Sequence, residues 1–114
     1  MNDHTKKLLV DVLESGRSVR GWCRHRTFAD YEADRQLRRA VEREFEIIGE
    51  ALHRLARLDP DTAAHIGELS RIVAFRNRII HGYDTIDDAT VWGIVDRHLP
   101  QLLAKTETLL QGGR

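Results

Sequence analysis

Apolar residues recur along this chain at steps of three and four, the spacing of a helix with one buried face. Leu8, Leu9, Val12, Leu13 and Val19 predict a first helix over about residues 3–20, with Asp3 or Thr5 as its cap and Gly16 and Gly21 weakening its end. Leu37, Val41, Phe45, Ile48, Leu52 and Leu55 predict one long second helix over about residues 30–58, the backbone of the fold. At about 1.5 Å per residue it would run some 40 Å, long enough to project toward a partner. Asp59-Pro60 reads as an N-cap followed by a first-turn proline. Gly67 divides a short turn of helix from one over about 68–81, with the stripe Leu69, Ile72, Val73, Ile79 and Ile80 and with Gly82 as a left-handed cap. Asp87-Asp88 caps a last element carrying Val91, Trp92, Val95 and Leu99. Pro100 kinks or restarts it, and Leu102, Leu103, Leu109 and Leu110 continue its face. Sustained β alternation is nowhere present. The expected fold is all-α: an antiparallel bundle of four to five helices in a single domain over residues 1–114.

Composition narrows the class. Eighteen basic and 18 acidic residues give a net charge of zero among 114 residues, which argues against nonspecific coating of nucleic acid. The longest stretches free of charge are seven residues, so no membrane span is expected, and the N-terminus lacks the apolar core of a signal peptide. The expectation is a cytoplasmic protein. Its one cysteine, Cys23, excludes an internal disulfide and a multi-cysteine zinc site. Charge is uneven locally: between Glu14 and Asp30 there is no acid, while Arg17, Arg20, Arg24, Arg26 and His25 accumulate. Such a run is either a solvated loop or a phosphate-contacting surface.

The densest chemistry lies in Arg76-Asn77-Arg78-Ile79-Ile80-His81-Gly82-Tyr83. A guanidinium offers a permanent fork for phosphate oxygens, and an imidazole exchanges a proton near neutral pH. Together they can cleave a phosphodiester by general acid-base chemistry with electrostatic stabilisation. Arg76 and His81 lie about 140° apart around an ideal helix, whereas Asn77 and His81, four apart, share a face. Arg76 must then curl round, or a second chain must complete the site; a two-fold homodimer would gather both sets in one cleft. The plainer alternative pairs Arg76 with a carboxylate, uses His81 to complement the helix terminus and makes Tyr83 a loop anchor. Glu50-Ala51-Leu52-His53 is half of a di-iron motif without its counterparts. No metal and no cofactor is expected, and Glu50 is better placed as a carboxylate supporting the Arg76 cluster.

The string Arg76-Asn77-(three residues)-His81-Gly82-Tyr83 resembles the arginine-four-residues-histidine-x-tyrosine motif of the HEPN superfamily, in particular its HepT-like toxins. Around it, Arg35-Gln36-(three)-Val41-Glu42-Arg43, Glu46-Ile47-Ile48-Gly49-Glu50-Ala51, Tyr83-Asp84-(one)-Ile86-Asp87-(three)-Val91-Trp92 and Leu99-Pro100 extend the resemblance over nearly the whole chain. It implies a HEPN-like bundle, homodimeric, acting as a metal-independent endoribonuclease. Arg76 and His81 would be catalytic, with Asn77 and Glu50 supporting. RNA is the implied substrate, because its 2'-hydroxyl supplies the nucleophile. The implied partner is a minimal nucleotidyltransferase antitoxin that transfers AMP onto Tyr83. The rival reading is a non-catalytic helical module that holds a nucleotide or docks such a nucleotidyltransferase.

Overall fold

A computed structural model describes residues 1–82 and 86–113. Among these residues all regular structure is helical. The first helix, α1 (Asp3–Cys23), begins at Asn2, whose side chain accepts from the Thr5 amide at 2.8 Å. The cap thus falls one residue ahead of the expected pair, and the helix runs through Gly16 and Gly21. Gly16 is where the last helix packs closest, for a Cβ there would meet Leu103 Cδ2 at 2.3 Å.

The expected long second helix is two. A six-residue α2 (Phe28–Ala33) is opened by a reciprocal cap between Thr27 and Asp30, and α3 (Arg35–Leu58) starts afresh from Asp34, which accepts from the Leu37 amide at 3.0 Å. Asp34 has extended backbone, φ −108° and ψ 95°, so the helical run is broken there. The turn seats Tyr31 in the core, tilted against Trp92 with ring centroids 5.4 Å apart. A single-turn α4 (Pro60–Ala63) follows, capped by Asp59. Asp59 also accepts from Thr5 Oγ1 at 3.2 Å, tying the start of α1 to the end of α3.

Next comes α5 (Leu69–His81), which buries Ile72, Phe75 and Ile79. Phe75 meets Phe45 of α3 edge to face at 5.2 Å. Ile80, expected in the apolar stripe, lies one position off it and is 40% exposed. Gly82 closes the helix with φ −146°, not in the left-handed region, its amide donating to the Arg78 carbonyl at 2.8 Å. After Asp87, α6 (Asp88–Gly93), a π-helical turn (Ile94–His98) and α7 (Leu99–Leu110) form one continuous rod.

Short connections set neighbours antiparallel. Helix α3 sits between α1 and α5, and α7 covers the other side of α1. One core running from Leu8 to Leu109 joins them, with Leu9, Val41, Phe45, Leu52, Ile72, Leu99 and Leu102 fully enclosed. The bundle measures 42 × 30 × 19 Å across its principal axes. Among the described residues no helix is long and apolar enough to cross a membrane. The consequence for function is that α5, and with it the Arg76 to His81 segment, leans on the middle of α3.

Candidate active site

Arg76 is placed by a close approach of two helices. Its stem crosses α3 at Gly49: a Cβ on that glycine would stand 2.3 Å from Arg76 Cβ and 2.5 Å from Cγ. Glycine in the middle of a long helix costs helical stability, so it marks a packing constraint. Here the constraint is the passage of the arginine, which brings its guanidinium to Glu50, one residue further on.

That guanidinium is held at two points. Arg76 Nη2 donates to Glu50 Oε2, and Nη1 donates to Asn77 Oδ1 at 2.8 Å. The second Glu50 oxygen accepts from Arg54 Nε at 2.8 Å. Glu50 is therefore shared by two guanidiniums, and the trio carries a surplus positive charge. The hydrogen bond from Arg54, reinforced by the charges of Arg76 and Arg54 against a smaller opposing effect of burial, holds the Glu50 carboxyl below its ordinary range. It stays ionised and keeps Arg76 fixed. The Arg76 side chain retains 20% of its accessible surface.

His81 ends α5 and is exposed, as is Asn77. The Asn77 contact that the structure shows is with Arg76, from which its carbonyl oxygen accepts. Arg76 and His81 both belong to α5, where five positions of an ideal helix separate them by about 140°. Tyr83 lies outside the described residues. Gly49 and Arg54 join the site although the Arg76 to Tyr83 motif does not include them. The signals were there: a glycine interrupting the α3 pattern, and an arginine four residues after Glu50.

Residues 12–109 match the ribonuclease HepT-like family model. A probable ribonuclease HepT of Thermococcus cleftensis is 32% identical over 108 residues, covering 91% of this chain and 94% of that protein. An RNase-named protein of Methanocaldococcus jannaschii is 29% identical, covering 90% of this chain and 93% of its own length. Another from the same organism is 24% identical, with 93% and 87% covered. No solved structure matches. The chain belongs to the ribonuclease HepT-like family, its fold is the all-α HEPN-like bundle of that family, and the enzyme class that goes with membership is the ribonuclease class.

Proposed function

We propose that this single helical domain is a metal-independent endoribonuclease of the cytoplasm, the toxin of a type VII-like toxin-antitoxin pair, working as a homodimer. The observation that carries the reading is the clamp on Arg76: Glu50 and Asn77 fix a guanidinium on the helix whose last residue is the exposed His81. A preorganised cation is what a crowded phosphorus needs as negative charge builds on its nonbridging oxygens. In the proposed reaction the ribose 2'-oxygen bonds to the adjacent phosphorus and the bond from phosphorus to the 5'-oxygen breaks. The products are a cyclic phosphate and a free 5'-hydroxyl. His81 takes the 2'-hydroxyl proton or supplies one to the leaving oxygen.

Because five positions of an ideal helix set Arg76 and His81 about 140° apart, a second copy supplies the complement in this reading. Ile80, 40% exposed between them, gives such a contact an apolar centre. The cognate minimal nucleotidyltransferase silences the enzyme by placing AMP on Tyr83, whose added anion would occupy the ground where RNA phosphate binds. One observation favours a second reading, a non-catalytic module that holds a nucleotide or docks the nucleotidyltransferase: Glu50 already neutralises much of the Arg76 charge.

Cleavage of RNA in excess chelator separates the two. The nuclease reading expects the wild type to cut RNA but not DNA, and expects Arg76→Ala and His81→Ala to be inert while folded. Intact RNA after incubation with wild type free of AMP on Tyr83 hands the case to the module. A mass gain of whole AMP units after incubation with the neighbouring nucleotidyltransferase and ATP, lost in Tyr83→Phe, tests the antitoxin pairing.

A further inference from the structure

The acid-free run after Glu14 does not remain a featureless loop. The end of α1 with the segment after it and the rod from α6 to α7 line an open hollow of about 240 Å³, bordered by Arg20, Arg24 and Arg26 on one part and by Trp92, Val95 and Pro100 on the other. Arg26 also lines a second hollow of about 410 Å³, beside Trp22 and Leu37. The two hollows thus share one guanidinium as a wall. Trp22 presents 41% of its surface to solvent, unusual for an indole.

Charge in the first hollow is not cancelled. Arg26 reaches Asp34 at 3.4 Å, but Arg20 and Arg24 form no ion pair among the described residues, and Asp96 is the carboxylate on the wall. With Arg26 engaged by Asp34, two unpaired guanidiniums against one carboxylate, set beside apolar side chains, attract an anionic group more strongly than the same arginines spread in water. Adjacent to it stands an open aromatic face. Alternation of a cationic pocket with an aromatic platform matches alternation of phosphate and base along a single strand, since every base offers a π face and every link a charge. An acidic peptide offers the charge without the flat partner for Trp22.

We propose that this end of the molecule is an RNA-contact subsite separate from the Arg76 and His81 segment, in which Arg20 and Arg24 hold a backbone phosphate and Trp22 stacks a neighbouring base of a single strand. The proposal rests on RNA being the substrate and adds where the strand is held away from the bond that breaks. Residues Asp34 and Arg26 form the partition between the phosphate and base positions.

The test uses the full chain and a single-stranded oligonucleotide of about ten residues, 2'-O-methylated throughout so that the 2'-oxygen cannot attack. Binding is read by fluorescence anisotropy over a salt series. The double variant Arg20→Glu/Arg24→Glu is expected to bind at least about tenfold more weakly, with a slope of log affinity against log salt shallower by about 1.4, as for two lost contacts. Trp22→Ala should weaken binding about tenfold with the slope unchanged. A control, Lys6→Glu/Arg57→Glu, makes the same charge change at the opposite end of α1 and α3 and should bind as wild type does. The subsite is overturned if the wild type does not bind, if both test variants bind like it, or if the control loses as much as the double variant. Cleavage of unmodified RNA is scored in parallel. A wild type that binds through these residues but cuts nothing removes the nuclease reading alone, and one that cuts while the variants bind unchanged removes the subsite alone.

Discussion

Gly49 and Arg76 occupy each other's space: the hydrogen that replaces a side chain on the glycine leaves the room through which the arginine stem crosses α3 on its way to Glu50. An added methyl would raise helix propensity by about 1 kcal/mol. Against that, overpacking a fixed contact costs about 1–3 kcal/mol. We expect Gly49→Ala to gain no stability and to lose most RNA cleavage, because α3 and α5 must part and the guanidinium swings off Glu50. Wild-type melting together with wild-type cleavage in this variant would show that the close approach is idle.

Glu50 holds Arg76 while competing with any phosphate for it. Since the pair keeps 20% and 37% of its side-chain surfaces accessible, its worth to stability is under about 1 kcal/mol. Glu50→Gln should therefore melt near the wild type, bind RNA more tightly and turn it over more slowly. Steady-state kinetics read this as a fall in KM with a larger fall in kcat. Unchanged kinetics would reduce Glu50 to a surface charge.

Among the described residues three carboxyls sit below their ordinary range: Glu50 through the Arg54 hydrogen bond foremost, Asp59 through the Thr62 amide and hydroxyl, and Asp87 through the Thr90 amide and hydroxyl. Each folded value lies below the unfolded one, so each stabilises the fold above the unfolded carboxylate range near pH 4. That contribution is lost as pH falls through the lower folded values. Thermal midpoints should hold steady from neutrality to about pH 4.5 and then fall. Asp59→Asn and Asp87→Asn should lower the neutral midpoint and flatten the acid limb. An acid limb identical to the wild type's would contradict the assignment.

Tyr31 is fully buried and its hydroxyl has no hydrogen-bond partner among the described residues. Burial, with the nearby Glu42 and Asp88 charges, pushes its phenol far upward, so it remains neutral. An unsatisfied buried hydroxyl costs about 1–3 kcal/mol. Tyr31→Phe should therefore raise unfolding free energy by about 1 kcal/mol while keeping the ring packed on Trp92. Denaturant melts with unchanged slope would measure it; a destabilised variant would mean that the oxygen is bonded through water.

The helical pattern was most legible where one face alone decides burial. All six apolar positions of the α3 stripe, Leu37 through Leu55, are buried as their spacing requires. It was least legible where tertiary contacts choose between near-equal options. On α5 the register against α3 selects Phe75 with Ile72 and Ile79 and leaves Ile80 outside. At Asp34 an aspartate within a charged run reads as helix surface, yet it caps a new helix so that Tyr31 can reach Trp92. The site shows the same division. The Glu50 contact with Arg76 is legible in outline, since its carboxylate stands out in the α3 pattern. The partner that Asn77 takes depends on where Gly49 lets Arg76 lie, which no local spacing encodes.

The π turn at Ile94–His98 carries one residue more per turn than the helices it joins. Upstream of it Trp92 meets Tyr31, and downstream Leu103 fills the notch at Gly16. The extra residue sets the rotation between these two contacts. Removing a single residue from that widened turn would swing one half by about 100° relative to the other. The chain thus tolerates a weaker stretch of hydrogen bonding midway along its last rod as the means of aiming two sockets from one shaft.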